Sequence, residues 1–294
     1  MSTPATNAAG MLAGKHALVT GGSRGIGAAI GAALLGAEAR VTLLARNASE
    51  LAERIESLRA SGVAQDARGD GQGVRADMRG TRAEVQAVCS EVQGVCADVR
   101  DEAAVADAFA RATDAFGRVD ILVNNAGAAH SASFAATTSA MWNDLLAVNL
   151  TGTFLCSRAA VPAMLAAGWG RIVNVASTAG LAGGRYIAAY CAAKHGVVGL
   201  TRALAIELAA GGVTVNALCP GFVETGLLDE SLATIVRKTG RSTAAAREAL
   251  LAQSLQRRFI EPDEVAQAAL WLCGPGSDAI TGQSLALEAS GSVA

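Results

Sequence analysis

Tyr190 and Lys194 stand four residues apart in a stretch, Ala188 to Leu208, whose apolar positions Val197, Leu200, Leu204 and Leu208 recur at helical spacing. Phenol and ammonium therefore share one helical face. A phenol with an unperturbed pKa of about 10 is a poor proton donor and acceptor near neutrality. An ammonium within a few ångström favours the phenolate and lowers that value, which makes Tyr190 a candidate general acid or base. Ser177 lies 13 residues before the tyrosine, where its hydroxyl can donate to an oxyanion developing on the same carbonyl. The chain has 24 Lys and Arg together but only three lysines, at 15, 194 and 238, and two tyrosines, so this pairing is not drawn from a lysine-rich surface. Tyr186 has Tyr190 at its own i+4 position and no base, and reads as a pocket wall or packing residue.

The elements that must place these groups follow from periodicity. Ile172, Val173 and Val175 form a β-branched run without polar alternation, as expected of a strand buried on both faces in a parallel sheet, with Ser177 at its carboxyl end. His16 to Thr20 reads as the first strand. It runs into Gly21-Gly22-Ser23-Arg24-Gly25-Ile26-Gly27 and then a helical stretch. Glycines let a phosphate approach the backbone, and the helix start offers free N–H groups and a positive dipole end, so Gly21, Ser23, Arg24, Gly25, Ile26 and Gly27 are candidate cofactor contacts. Val41 to Ala45 is the second strand, ending in Arg46, with Asn47 and Glu50 spaced to cap the next helix. An NAD-binding fold places an acid here, on the ribose 2′-hydroxyl. An arginine suits a 2′-phosphate, so NADP(H) is the preferred cofactor and NAD(H) the other possibility, with Arg24 as a second contact.

Between Ala60 and Gly94 the pattern loosens, and Gln72-Gly-Val-Arg-Ala-Asp-Met-Arg79 is echoed by Gln93-Gly-Val-Cys-Ala-Asp-Val-Arg100. The second copy leads into a helix capped by Asp101 and is taken as the third strand, with Asp98 and Val99 on the adenine side. Residues 61–93 then read as an insertion: a surface loop, or a short extra hairpin or helix. Val119 to Val123 makes a fourth strand closing on Asn124, Asn125, Ala126 and Gly127, small enough for the chain to pass close to a nicotinamide ribose. A long helix starts near Ser139 and carries Trp142, Leu146, Asn149, Phe154 and Ala160; Asn149 is either a satisfied core asparagine or a site residue. Val213 to Leu218 is a sixth strand leading to Cys219, Pro220, Gly221, Phe222, Val223, Glu224 and Thr225. The polar, Ala-rich stretch 224–260 follows a strand's carboxyl end, where ligands bind, and is a candidate substrate lid. Its arginines either face solvent or meet the phosphates of an acyl carrier or coenzyme A. Pro262 opens a last helix to Cys273, and Gln283 to Glu288 is a final strand.

At 294 residues and 51% apolar the chain can bury one large core, so residues 14–294 are expected as one domain behind a frayed tail, 1–13. A net charge of −2 without blocks of one sign gives no footing for nucleic acid. Gly25 to Ala37 is free of charge for 13 residues, short of the roughly 20 that a membrane span needs. The first residues lack a basic start and an apolar segment, so neither a secretion signal nor an anchor is expected, and the location expected is the cytoplasm. The six cysteines lack metal-site or disulfide-framework spacing and read as buried thiols, with no metal site.

Taken together, Thr-Gly-Gly-Ser-Arg-Gly-Ile-Gly at 20–27, Asn-Asn-Ala-Gly at 124–127, Asn149, Ser177, Tyr190-Cys-Ala-Ala-Lys194 and Pro220-Gly221 resemble the short-chain dehydrogenase/reductase family from about Lys15 to Glu288. The resemblance implies a Rossmann-type α/β fold with a seven-stranded parallel sheet flanked by helices on both faces, usually in a homotetramer. It implies a catalytic tetrad of Asn149, Ser177, Tyr190 and Lys194. In it Tyr190 exchanges the proton, Ser177 orients the carbonyl, Lys194 binds the nicotinamide ribose and Asn149 holds a relay water. Asn125 would contact ribose, Val223 the carboxamide through its backbone, and Thr225 the carboxamide or pyrophosphate. The stretches around Lys194 and Cys219 are similar to 3-oxoacyl carrier-protein reductases and polyketide ketoreductases, implying an NADP(H)-dependent reductase of a small-molecule ketone, with oxidation of a hydroxy acid, hydroxyacyl-coenzyme A, cyclic alcohol or steroid as the alternative. A cofactor-binding pseudoenzyme is the alternative of another class. The insertion and the Glu288-Ala-Ser-Gly ending depart from the family's usual pattern.

Overall fold

The computed structural model describes residues 10–69, 91–252, 254 and 256–287, with only the backbone course for 61–69. Seven strands form a single parallel sheet: β1 (His16–Thr20), β2 (Arg40–Ala45), β3 (Val92–Cys96), β4 (Ile121–Asn124), β5 (Gly170–Val175), β6 (Val213–Pro220) and β7 (Ser284–Leu287), in the order β3-β2-β1-β4-β5-β6-β7. Register is continuous across the centre, with Leu18 opposite Leu122 and Val123 opposite Val173. Leu18, Leu43, Leu44, Ile121, Leu122 and Ile172 are fully buried, each worth about 1.5–3 kcal/mol of transfer from water. The strand order reverses between β1 and β4, so a crevice opens at the carboxyl ends of these two strands.

Helices cover both faces: α1 (Gly25–Gly36), α2 (Ala48–Gly69), α3 (Glu102–Phe116), α4 (Ser139–Leu146), α5 (Gly152–Ala167), α6 (Ala188–Leu208), α7 (Gly226–Thr239), α8 (Thr243–Leu251) and α9 (Pro262–Cys273). Helix α3 starts as its sequence dictates, the Asp101 carboxylate accepting from the Ala103 and Ala104 N–H groups. Asn47 does the same for Ser49 and Glu50. Helices α7 and α8 have a small core of their own, Leu228, Leu232, Ala246, Leu250 and Phe259. Its base is an isolated parallel bridge between Val223 and Ile260.

Several expectations are corrected here. Of the loop, hairpin or helix expected from residue 61 on, residues 61–69 are helical, but as the continuation of α2 rather than a separate element: Ala64, Gln65, Ala67 and Arg68 sustain a helix and no proline stops it. Val92 and Gln93 already belong to β3; the first copy of the repeat lies outside the described residues. The end of the expected tail is anchored: Leu12 is buried and its N–H donates to Ala37 O, an apolar residue tying residues 10–13 to α1. The long helix from Ser139 is broken by a π-turn, Ala147–Thr151. By length and composition alone, Ser139–Ala167 could cross a membrane, yet it carries buried Asn149, Thr153 and Ser157, whose polar atoms are all spent within the fold. Cysteines 156, 191, 219 and 273 are buried as expected, but Cys96 is exposed because it falls where β3 ends; Cys89 lies outside the described residues.

Candidate active site

The crevice collects the residues singled out by chemistry. Strand β5 ends at Val175 and delivers Ser177, whose Oγ caps a short turn by accepting from the Ala179 N–H. Helix α6 returns over it and brings the Tyr190 phenol close enough to Ser177 to feel its hydroxyl. Lys194 is buried and its Nζ donates to Val175 O at 2.8 Å, 5.7 Å from the Tyr190 ring centre. A Cβ on Gly127 would stand 2.7 Å from Asn149 Oδ1 and 3.7 Å from Lys194 Nζ, so the end of β4 and the π-turn meet the lysine at this glycine. Ser177, Tyr190, Lys194 and the Asn149 segment thus share one end of the sheet.

Their electrostatics differ from the sequence-based expectation. Burial pushes the Tyr190 phenol up to about 12, the Ser177 hydroxyl pulling the other way. The ammonium does not hold the phenol down in this state, because Lys194 itself is desolvated and drawn down to about 8. This has a consequence for stability. Between about 8 and the ordinary 10.5 the unfolded chain holds a proton on Lys194 that the folded chain has released, so stability rises with pH through that window. In Lys194→Met that rise should vanish. Denaturant midpoints of parent and variant measured across the window should diverge, the parent gaining; parallel curves would show the lysine to be solvated.

Asn149 anchors rather than projects. Its Nδ2 donates to the Ala128 and Leu145 carbonyls and its Oδ1 accepts from the Ala128 N–H, locking the Gly127–Ala128 loop to the π-turn. Asn125, expected at a ribose, instead props the glycine turn, its Nδ2 donating to Thr20 O and Gly21 O. Thr20, which the sequence reading passed over, accepts from the N–H groups of Asn125 and Ala126 and fixes β4 to β1 at the turn. Cys219 was also missed as a neighbour: its buried thiol lies by the Ser177 backbone and is raised to about 11 by burial. Its place at the carboxyl end of β6 was the available signal. Tyr186 is neither wall nor packing; it is exposed with φ +67°, its carbonyl accepting from Ala132 N.

A dinucleotide fits the glycine turn on two grounds. Helix α1 starts with no side-chain cap and no acidic residue in its first turn, leaving its N–H groups for an anion. Gly21 (φ +65°) and Gly25 (φ +55°) hold conformations that side chains rarely adopt, and a Cβ on Gly27 would lie 2.3 Å from Gly21 O. Thr225 closes the other side, its Cγ2 3.1 Å from where a Gly25 Cβ would be, and Arg24 reaches toward Gly226. Pro220, Gly221 and Val223 lead from β6 to this point. Beside the turn a groove of about 280 Å³ is lined by Ser23, Arg24, Glu50, Glu53 and Arg54. Arg46 is exposed at the end of β2. On the expected adenine side the Asp98 carboxylate is held below its usual range by a bidentate pairing with Arg100, and Val99 is buried against Gly152. Among the described residues no cluster of ligating side chains could hold a metal.

Known proteins share this arrangement. The family model described as Enoyl-(Acyl carrier protein) reductase matches residues 60–289, and the one described as short chain dehydrogenase matches residues 15–93. A protein assigned as a ketoacyl reductase in Streptomyces coelicolor is 44% identical over 174 residues, 57% of this chain and 65% of that protein, so the chain spans just under two thirds of that relative's length. One assigned as ketoacyl reductase 1 of the granaticin polyketide synthase of Streptomyces violaceoruber is 37% identical over 96% of this chain and 94% of its own. The crystal structure of a variant of actinorhodin polyketide ketoreductase with NADPH superposes with a TM-score of 0.83, at 36% identity, over 95% of this chain and 97% of that one. With its parallel sheet, glycine turn and Ser177, Tyr190 and Lys194 gathered at the switch point, the chain belongs to the short-chain dehydrogenase/reductase family of NAD(P)-binding oxidoreductases.

Proposed function

We propose that this protein is an NADP(H)-dependent ketoreductase acting on a 3-oxoacyl thioester or polyketide-like ketone carried on coenzyme A or an acyl carrier protein. The observation that carries the reading is Lys194, its Nζ held at 2.8 Å by Val175 O at the carboxyl end of β5, with Tyr190 one turn back on α6 and Ser177 just past the same strand end. Ser177 orients the carbonyl oxygen through its hydroxyl, and Tyr190 donates its proton to that oxygen, or takes it from the alcohol in reverse. Lys194 holds the nicotinamide ribose, and the Asn149 segment holds a water from which Tyr190 regains its proton. Gly21, Ser23, Gly25, Ile26 and Gly27 cradle the pyrophosphate, with Ala126 and Gly127 at the ribose and Gly221, Val223 and Thr225 at the carboxamide side. When bound, the cofactor supplies or accepts the hydride. The NADPH in the actinorhodin ketoreductase crystal supports the cofactor, and residues 224–260 serve as the substrate lid. We place the enzyme in the cytoplasm as a homotetramer. Phe154, Leu165, Ile206 and Trp271, exposed on outer helices, supply apolar surface for such contacts.

Consumption of NADPH absorbance with a panel of ketones tests the reading. Turnover with ketones supports it, formation of NADPH with alcohols alone makes the enzyme an oxidative dehydrogenase, and binding without turnover retires it. For cofactor choice, Arg46→Asp should weaken NADPH relative to NADH by about tenfold or more, since it replaces a phosphate partner by a like charge. Unchanged selectivity in kcat/KM would remove Arg46 from that role.

A further inference from the structure

Beneath the catalytic residues runs an unbroken chain of buried side-chain hydrogen bonds that the proposed chemistry does not use. On α6, Thr201 Oγ1 donates to Val197 O at 2.8 Å and accepts from Asn174 Nδ2 at 2.9 Å. Asn174, in β5, accepts at Oδ1 from Asn124 Nδ2 in β4 at 2.9 Å. The second Asn124 Nδ2 hydrogen goes to Ser157 Oγ on α5 at 3.0 Å, and Ser157 donates to Thr153 O at 2.7 Å. Thr153 in turn donates to Asn149 O at 2.9 Å. All five side chains are buried.

As the bonds lie, Thr201 and Ser157 donate to helix carbonyls and accept from Asn174 and Asn124. Asn174 presents its oxygen to Asn124, whose N–H groups go to Asn174 and Ser157. The four side chains thus tie β4, β5, α5 and α6 to one another and hold their relative positions.

What they hold is the site. Thr201 is two turns along α6 from Lys194, on the same side; Asn174 precedes Val175, whose carbonyl takes the Lys194 ammonium; Asn124 precedes Asn125, Ala126 and Gly127; and Thr153 ends on Asn149. We infer that Thr201, Asn174, Asn124 and Ser157 are positioning residues that fix α6, with Tyr190 and Lys194, at one height relative to the β4 end and the Asn149 turn. Misplacing catalytic groups by even 1 Å costs up to about a hundredfold in rate, whereas cofactor binding at the glycine turn is anchored separately.

The inference rests on the ketoreductase reading and is tested apart from it. Parent, Thr201→Val, Thr201→Ser and Ser157→Ala are compared for kcat, KM, NADPH affinity and the pH dependence of kcat. Thr201→Val keeps the shape and removes the hydroxyl. It should lower kcat about tenfold and displace the pH profile, with KM and NADPH affinity near parental, and Thr201→Ser should recover most of the loss. If Thr201→Val fails to fold, Ser157→Ala decides from the other end of the chain. Parental kcat and pH profile in whichever of these variants fold would overturn the inference. An inactive parent would count against the ketoreductase reading alone. In that case titration of the Tyr190 phenol by absorbance, in a Tyr186→Phe background, still decides: a displaced titration in the variants supports the positioning role and an unmoved one ends it.

Discussion

Tyr190→Phe should lower kcat by about three orders of magnitude, within the 10²–10⁴ that a placed proton donor contributes, while NADPH binding stays near parental. The substitution removes one oxygen from a ring whose other contacts persist, so the loss isolates the proton transfer. The phenol is held up at about 12 by burial, against an ordinary value of about 10. In the folded, cofactor-free protein it therefore keeps its proton across neutral pH and is ready as an acid for ketone reduction. For stability the sign follows. Folded Tyr190 retains a proton that the unfolded chain loses between about 10 and 12, so its contribution is complete below 10 and fades as pH rises through 12. Steady-state rates with a ketone and fluorescence titration with NADPH check the two halves. A variant reducing ketones at near-parental rate would transfer the acid role elsewhere.

Gly27→Ala is expected to abolish productive cofactor binding and to destabilise the fold together. The added Cβ would stand 2.3 Å from Gly21 O and 2.4 Å from Asn125 Nδ2. Both neighbours are fixed: Gly21 is turn backbone, and the Asn125 amide is hydrogen-bonded to Thr20 and Gly21. Relief requires the turn to open, at a cost of about 1–3 kcal/mol for overpacking. Thermal unfolding should show a lowered midpoint, and NADPH should raise it far less than it raises the parent's. A variant with parental NADPH affinity would show that the turn does not cradle the pyrophosphate. Gly36, where a Cβ would meet nothing within 4 Å, is the matched control on the same helix.

The sheet, the order of its strands and the gathering of Ser177, Tyr190 and Lys194 were legible because they rest on local signals: β-branched runs, a glycine turn between strand and helix, and an i, i+4 pair. What was not legible depends on partners distant in sequence. Asn125 could not reveal that it would spend its amide on Thr20 and Gly21, 105 and 104 positions away. Arg100 stands two positions from Asp98, but that it also reaches Asp144, 44 positions on, only the fold shows. The activation of Tyr190 was judged from separation along a helix, which says nothing of dielectric. Burial of both groups reversed the expected sign. The tail was judged by its Ala-, Thr- and Ser-rich composition, and at its described end, residues 10–13, Met11 and Leu12 pack against the core instead.

Helices α7 and α8 close around a cluster of their own, on a base formed by the bridge between Val223 and Ile260. At the far end Lys238 donates to Ser131 O at 2.8 Å. A unit so attached opens as a block while β4, β5 and β6 stay intact, so its amides should exchange with deuterium as one group and sooner than those of the strands. On the ketoreductase reading proposed above, traffic through the crevice would thereby be uncoupled from global unfolding, the floor on which the reacting groups stand staying closed while the segment over it opens.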